Sequence, residues 1–300
     1  MKKVLIAILA VVALASCQQE DAPQGVKYPI LFGSTDTRAV ADLDDLKDNG
    51  FKVYAYFQGT AEGTGSSTFE KTVTYYEEDD VWIYEGLEYW LPGVDYWFKA
   101  FYPSELSKGT LAVDNDDKNQ NFTIEGYDIT TQEDIMVAEA KASVGADASA
   151  PASGSVVELD FQHLLANVVV KIKAEIDGVT INSITISNIA DYGTYSEQKW
   201  SSSNKTSITV EPNVALSKGE EYVDVTNGGI LVIPAEANGV TLSISTSSKN
   251  YDNIKIPAIN WEIGNKYTYT IEIQQNDIIL NNPNVAKWDS DSATGSVIIK

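Results

Sequence analysis

Two side chains near the start of the chain are unique in the sequence and have distinctive chemistry: Cys17, the only cysteine, and Arg38, the only arginine. A lone thiol cannot form an internal disulfide, but it can carry a covalent modification. A lone arginine gives an arginine-specific protease one target, and the small polar residues around it are typical of an exposed, cleavable loop. The alternative is that Arg38 is an ordinary loop residue in a chain that otherwise uses lysine.

Catalytic chemistry has few candidate residues. His163 is the only histidine, so a nucleophile–histidine system has one possible base, and a zinc site with several His or Cys ligands is excluded. The sequence contains no phosphate-binding glycine loop and no nucleophile elbow. A glycosidase-like pair stays open, because some of the 43 Asp and Glu residues will be neighbours by chance. We predict no catalytic residues, no enzyme activity and no cofactor, with His163 packed or capping a turn.

The segment DNDDKNQNFTIE, residues 114–125, partly matches the calcium-binding loop template. Asp114, Asp116 and Glu125 stand at the first, third and twelfth template positions. Lys118 and Asn119 replace an oxygen ligand and the required glycine, and no helical pattern flanks the loop. We therefore predict an acidic, solvent-exposed loop and no metal site.

Residues 1–16 are typical of a secretory signal, because two lysines precede an apolar run that is too short to span a bilayer. The run ends in LASC, which resembles the lipobox of bacterial lipoproteins. That resemblance implies that Cys17 is lipidated and becomes the first residue of the mature chain. An ordinary signal peptide with an incidental cysteine is the alternative. Residues 18–27 are polar and typical of a flexible tether.

One short apolar run, YPILF, lies between the two unique side chains. Its composition predicts a β-strand, and the polar loop after it leads to Arg38. If Cys17 is an attachment point and Arg38 a cut site, residues 17–38 hold a strand that is later removed. A removable strand indicates an assembly subunit. The apolar residues of this strand are Tyr28, Ile30, Leu31 and Phe32.

From residue 51 onward the sequence alternates with the period of two that is typical of β-strands, with almost no helical pattern. Many short strands, interrupted by Gly, Asn, Asp and Ser, predict an all-β protein built from antiparallel β-sandwiches. Residues 139–154 are rich in Ala, Ser, Gly and Pro and predict a long loop or linker. We therefore expect an N-terminal domain of residues 39–153 and a C-terminal domain of residues 154–300.

The surface composition gives two further expectations. A formal charge of −22 argues against binding of nucleic acid or anionic lipid by charge. Aromatic residues crowd the first domain, and aromatic faces can stack on sugars, but packing in a β-sheet core is the favoured interpretation. The aromatic residues concerned are Tyr75, Tyr76, Trp82, Tyr84, Tyr89, Trp90, Tyr96, Trp97, Phe98 and Phe101.

Several sequence blocks together resemble the fimbrillin family of Bacteroidales, the type V pilins. After the lipobox and the apolar strand come DTRA at residues 36–39 and GFKVYAYF at residues 50–57. The later blocks are EDIMVA at 133–138, VELDFQHLLA at 157–166, and WEIGNKYTYTI at 261–271. Asn167 departs from this pattern, which has lysine after the Leu-Ala pair.

The resemblance implies two transthyretin-like antiparallel β-sandwich domains in tandem and an outward-facing lipoprotein precursor in the outer membrane. It also implies that an arginine-specific surface protease cuts between Arg38 and Ala39 and removes the first strand with its lipid. The groove left behind has unpaired edges, which a strand of another subunit fills. The implied partners are other fimbrial subunits, in a homo- or hetero-polymer that supports adhesion.

In this family the C-terminal segment usually donates the strand, which makes residues 277–300 the candidate. Its candidate donor residues are Ile278, Leu280, Val285, Trp288, Val297 and Ile299. The competing interpretation is a glycan-binding surface lipoprotein that keeps its lipid anchor and uses the aromatic cluster. A stalk, a tip and an anchor role all remain open.

Overall fold

A computed structural model describes most of the chain beyond its N-terminal leader. The described residues are 27–34, 46–61, 63–78, 81–202, 204–275 and 277–288. Cys17, Arg38, Ala39, Val297 and Ile299 lie outside them.

The regular secondary structure of the described residues is β-strand, apart from a helical turn at residues 46–49 and a 3₁₀ turn at Ile129–Thr131. The strands of the first half are β1 (Leu31–Ser34), β2 (Phe51–Gly59), β3 (Ser66–Tyr76), β4 (Val81–Ile83), β5 (Val94–Tyr102), β6 (Thr110–Val113), β7 (Phe122–Asp128), β8 (Met136–Val144) and β9 (Val156–Leu159). Those that follow are β10 (Gln162–His163), β11 (Ala166–Ala174), β12 (Val179–Ala190), β13 (Tyr192–Ser196), β14 (Lys199–Ser202), β15 (Lys205–Val210) and β16 (Val214–Leu216). The last are β17 (Val223–Asp224), β18 (Ile230–Val232), β19 (Thr241–Thr246), β20 (Asn250–Lys255), β21 (Asn265–Ile273), β22 (Ile278–Leu280) and β23 (Asn284–Lys287). The predicted all-β class is confirmed.

The strands assemble into several sheets. One six-stranded sheet has the order β10-β8-β5-β2-β3-β4, and a second is built on β17-β11-β21-β22, with β18 and β23 pairing at its sides. A five-stranded sheet is built on β15-β12-β19-β20, with β16 beside β12, and a four-stranded sheet has the order β14-β13-β7-β6. Most neighbours are antiparallel, as expected. Two pairs are parallel, β1 with β9 and β11 with β21, because strands joined by long connections can take either direction.

Alternation of buried and less buried residues along the strands gives each sheet a face that packs on a core. In β21, NKYTYTIEI, every second residue from Asn265 to Ile273 is buried and the residues between them are half-buried. β11 is buried at nearly every position and is a central strand, with β21 pairing along one edge and β17 and β18 along the other. This strand pair lies in the larger hydrophobic core, which we call the second core. The first core is formed mainly by β2, β5 and β8 and contains β1 and β9.

The two cores do not separate at one point of the chain. β9 follows the expected boundary at residue 153, yet Val157 and Leu159 lie in the first core. β7 precedes that boundary, yet it pairs with β13, and its Ile124 and Tyr127 lie in the second core. The division into domains of residues 39–153 and 154–300 therefore stays a prediction, and packing crosses it in both directions.

The two sides of the sheet that contains β21 and β22 differ in burial, and one isoleucine on each strand allows this difference to be tested. Ile271 has 0% of its surface exposed and Ile279 has 44%. We expect Ile271→Ala to lower the free energy of unfolding by about 2–5 kcal/mol, because it leaves a cavity in the second core. Ile279→Ala should change it by less than about 0.5 kcal/mol. Urea unfolding of both variants measures this, and equal effects would contradict the assigned faces.

Candidate functional site: the slot of the N-terminal strand

The predicted removable strand is buried in the first core. Ile30 and Phe32 point inward, with 0% and 4% of their surfaces exposed, while Tyr28 and Leu31 are half-buried. This inward–outward alternation is what a strand requires when one face packs on a core. The two inward side chains give the segment a large apolar contact with the first core. We call the space occupied by residues 28–34 the slot.

The slot has backbone partners on both sides. On one side β1 runs parallel to β9, with Leu31 opposite Val156, and the Leu31 N–H donates to the Ser155 carbonyl at 3.1 Å. On the other side Pro29 forms an antiparallel bridge with Tyr89. There the Ile30 N–H donates to the Glu88 carbonyl at 2.9 Å, and the Trp90 N–H donates to the Tyr28 carbonyl at 3.0 Å. Removal of the strand would leave unpaired backbone groups along two edges.

Side chains of the first core form the surface beneath the strand, which we call the floor of the slot. The Tyr84 hydroxyl donates to the Ile30 carbonyl at 2.6 Å, and the Phe32 ring lies 5.5 Å from the Tyr84 ring and 5.8 Å from the Phe98 ring, between centroids. Burial raises the pKa of Tyr84 to about 12, so this hydroxyl stays a donor well above neutral pH. The indole N–H of Trp90 donates to the Ser155 carbonyl at 3.3 Å. That bond joins the two flanking segments directly, without the strand between them.

The described part of the predicted donor tail is paired within its own chain. Both tail strands lie antiparallel to β21: Leu280 is opposite Ile271 in β22, and Val285 is opposite Tyr267 in β23. Ile278 and Leu280, like Val285, are partly buried hydrophobic residues packed against the second core. These residues are therefore structural members of the C-terminal sheet in the single chain.

The described tail ends in a stack of two rings. The Trp288 ring lies parallel to the His163 ring, with centroids 3.7 Å apart and planes 7° from parallel. His163 is 1% exposed, and its Nδ1 lies 2.6 Å from Asp134 Oδ2. The Trp288 N–H donates to the Gly264 carbonyl at 2.9 Å. Of the two predicted roles for His163, packing and turn capping, the structure shows packing. Its ring contacts the end of the described tail.

The aromatic cluster of the first domain is largely used for packing. Trp90, Tyr96, Phe98 and Phe101 are 1–3% exposed, and the Trp90 and Tyr96 rings meet edge to face at 4.8 Å. Of the ten aromatic residues singled out, two are exposed and four are half-buried. The exposed pair is Tyr76 and Tyr89. The core interpretation accounts for the buried members.

The acidic loop bonds to its own backbone. Asp114 accepts from the Asp116 N–H at 3.2 Å, and Asp117 accepts from the Asn119 N–H at 2.6 Å. The described residues contain no group of three or more His, Cys, Asp or Glu side chains placed to hold a metal ion. Nor does a helix long and apolar enough to cross a membrane occur among them.

Sequence reasoning identified the strand but not its neighbours. Tyr84, Trp90 and Ser155 were not recognised as parts of one site, because they are distant from Ile30 in the sequence. The strand pattern of β9 was visible in the run from residue 156, but its direction and partner were not. Alternating sequence predicts a strand and cannot say which other strand lies beside it.

The described chain is an all-β protein that buries its N-terminal strand between two pairing segments, and comparison with known proteins gives its family. Residues 37–288 match the fimbrillin-like family model, and the chain belongs to the fimbrillin-like family. Residues 1–18, which include Cys17, match the model of prokaryotic membrane lipoprotein lipid attachment sites. The resemblance found in the sequence is confirmed. No curated protein matches the sequence significantly.

Solved structures share the fold. A fimbrial protein from Bacteroides vulgatus ATCC 8482 superposes with a TM-score of 0.60 at 16% identity, over 87% of this chain and 99% of that chain. A protein from Bacteroides ovatus ATCC 8483, described as a candidate cell adhesion protein, gives 0.54 at 14% identity, over 88% and 98%. At such identities the likeness establishes the fold.

Asn167, at which the family resemblance leads us to expect lysine, packs closely against Gly228 and Gly229. Asn167 is buried, and its amide donates to the Gly228 carbonyl at 3.1 Å. A Cβ on Gly229 would lie 1.6 Å from Asn167 Oδ1, so backbone and side chain are in close contact there. A lysine at position 167 would have to leave this contact.

The hydrogen bond from Tyr84 to the strand gives a prediction with a defined pH dependence. Tyr84→Phe should lower the free energy of unfolding by about 1 kcal/mol, because the Ile30 carbonyl loses its donor. The folded pKa of about 12 exceeds the ordinary pKa of 10. The contribution is therefore complete below about pH 10 and is lost as the pH rises towards about 12.

Urea unfolding of the wild type and Tyr84→Phe at about pH 8 and about pH 11 measures this difference. Tyr76→Phe, at an exposed ring, is the matched control and should show little effect at either pH. If the free energies of unfolding of the wild type and Tyr84→Phe differ by the same amount at both pH values, the assigned role of the Tyr84 hydroxyl is contradicted.

Proposed function

We propose that this chain is a subunit of a cell-surface fimbria that is exported as a lipoprotein, cut after Arg38 and polymerised by donor-strand exchange, supporting adhesion. The observation that carries the proposal is the slot, in which a short N-terminal strand is buried and has backbone partners on both sides. The family assignment supports a structural role rather than a catalytic one.

The position of Arg38 suits removal of the whole strand. β1 ends at Ser34, and Arg38 follows after three residues. A cut between Arg38 and Ala39 would therefore detach the complete strand, with the tether and Cys17, and leave the next described segment, from Leu46, in place. The opened slot would expose two edges and the apolar floor around Phe98, and both favour entry of another strand.

The tail contains two candidate donor regions, which differ in the number of contacts within their own chain that donation would break. Ile278, Leu280, Val285 and Trp288 belong to pairs and a ring stack of their own chain, so their donation would first require these contacts to break. Residues 289–300 extend beyond them and contain a second apolar run. We therefore place the donor strand in residues 289–300, with Val297 and Ile299 as its inward side chains.

The donor run matches the strand it would replace in pattern. The slot holds Ile30-Leu31-Phe32, inward at its first and third positions, and the tail holds Val297-Ile298-Ile299. In the same register Val297 would take the place of Ile30 and Ile299 that of Phe32. Backbone pairing would supply affinity, and the two inward pockets would fix the register.

The proposed localisation follows from the lipid site. The attachment-site match at residues 1–18 supports a membrane-anchored precursor. We assign it to the outer leaflet of the outer membrane, with the mature form in surface fimbriae after an arginine-specific protease has acted. The other partners are further fimbrial subunits, identical or different.

The cleavage step is tested by substituting Arg38 in cells that export the chain alongside an arginine-specific protease. We expect Arg38→Ala and Arg38→Lys to accumulate as lipidated precursors starting at Cys17, whereas the wild type and the neighbouring control Thr37→Ala start at Ala39. Mass spectrometry of the N-terminus and gel analysis of polymers measure both effects. A normal polymer ladder from Arg38→Ala would end the cleavage model.

The donor strand is tested by a matched pair in the tail. Ile299→Asp should block polymer extension, because an inward carboxylate would be buried in the slot without a partner. Ile298→Asp, at the outward position between the two pockets, should extend almost normally. Electron microscopy and gel ladders of cleaved subunits measure assembly.

Deletion of residues 289–300 should act like Ile299→Asp while the subunit stays folded and able to accept a wild-type donor. Unimpaired self-assembly after that deletion would move the donor to residues 277–288 or out of the tail.

A further inference from the structure

Exposed apolar side chains concentrate around the slot. Leu87, Tyr89, Leu91 and Val156 are 52%, 39%, 45% and 40% exposed, and we call these four residues the outward face. They are half of the large hydrophobic residues that are exposed in the described part of the chain. Large apolar side chains that are exposed together mark a surface that contacts something other than water.

Exposure and backbone pairing place the outward face on one side of the slot. Leu87, Tyr89 and Leu91 are exposed and alternate with the half-buried Glu88 and the buried Trp90, as side chains of an extended segment do. Across the slot, the backbone bridge pairs Pro29 with Tyr89, and the β1–β9 register pairs Leu31 with Val156. Directly paired residues point to the same side of a sheet. Pro29 and Leu31, both half-buried, therefore continue the face across the removable strand.

Two carboxylates lie close to the outward face. Glu88 alternates with its residues, and its Oε1 lies 2.8 Å from the Lys71 ammonium, which also donates to the Gly86 carbonyl at 2.8 Å. Glu158 is exposed and stands two residues after Val156 in β9, on the same side of the strand. Because burial of a charge is costly, Glu158 has to stay in water at the edge of any apolar contact.

The face lies where the N-terminal tether leaves the folded chain. Lys27 is the first described residue, and its ammonium is 5.9 Å from the centre of the Tyr89 ring. Ten residue steps separate it from Cys17, a span of at most about 35 Å for a fully extended chain. A lipid on Cys17 would therefore keep the outward face within a short distance of the bilayer for as long as residues 17–38 stay attached.

We propose that the outward face is a membrane-contacting surface of the lipidated precursor, and that it rests on the neutral, interfacial layer of the bilayer. Tyrosine and leucine side chains suit that layer, where an apolar body meets a polar boundary. The tether raises the local concentration of bilayer at the face, so that a modest apolar contact suffices. The tether favours the bilayer over a second copy of the chain, because it links the face covalently to a lipid and leaves a second copy at its bulk concentration.

This contact rests on the lipid attachment in the proposed function and gives cleavage a second effect. A cut after Arg38 removes the tether, and with it Pro29 and Leu31 from the centre of the face. The four residues of the outward face then lose the lipid anchor and the apolar surface that Pro29 and Leu31 added between them. Release from the bilayer would follow from the same bond cleavage that opens the slot.

The experiment attaches the chain to a bilayer without depending on cellular processing. A chain starting at Cys17 is coupled through that sole thiol to a maleimide lipid in phosphatidylcholine vesicles that contain a diazirine phosphatidylcholine. After illumination, mass spectrometry maps which peptides carry lipid. We expect lipid adducts to concentrate on the peptides that contain residues 87–91 and 156, and to fall several-fold in Leu87→Ser/Tyr89→Ser/Leu91→Ser.

The matched control is Tyr192→Ser/Ile279→Ser, which removes two equally exposed hydrophobic residues elsewhere and should leave the adduct map unchanged. Leu87→Ser alone, at the most exposed position, provides a second variant if the triple variant does not fold. Adducts spread evenly over Tyr192, Ile279 and the outward face would overturn the proposal. So would protection of the face by protein–protein dimers, detected by sedimentation of the uncoupled chain.

An absence of lipid adducts on the outward face in vesicles would contradict the membrane contact but not the proposed lipidation of Cys17 or the proposed cleavage after Arg38. Conversely, the absence of lipid on Cys17 in cells would contradict the proposed function even if the coupled chain contacted the vesicles.

Discussion

The backbone of residues 28–34 is hydrogen-bonded on both sides, and the rest of the first core is arranged around that insertion. Ile30 and Phe32 pack on the floor that Tyr84 and Phe98 help to form, while β9 and the segment around Tyr89 provide the edges. A short strand contributes little stability by itself, so its position depends on pairing and burial together. Because these contacts link the first residues of the fold to segments far along the chain, loss of the strand would affect an entire face.

The other end of the chain is held by the same kinds of interaction. β22 and β23 pair with β21, and the Trp288 ring stacks on the buried His163 ring. Both ends of the described chain are thus strand segments placed on cores that other strands build. Only one end, however, is preceded by a unique cysteine and followed by a unique arginine. That difference in covalent chemistry separates the N-terminal strand from the tail strands, although both are paired and packed within the chain.

The surface around the slot adds a constraint from solvation. This strongly acidic chain keeps four apolar side chains exposed around the slot, close to Lys27, where its described part begins. Structural roles in packing do not require such exposure, since Trp90 and Tyr96 nearby are buried. The location of the face, beside Lys27, is what underlies the proposed contact with the membrane.

The sequence by itself determined the all-β class, the strand character of YPILF and the family, because alternation and short motifs are local properties. It left His163 either packed or capping a turn. Only the tertiary structure decided that β9 and the Tyr89 segment flank the strand, that β1 and β11 have parallel partners, and that β7 packs in the second core. It also decided that Ile278 to Trp288 lie on their own sheet. The reason is physical: alternation fixes which face a side chain takes, whereas backbone hydrogen bonds are the same for every strand. The choice of neighbour therefore depends on how distant segments fill a shared core.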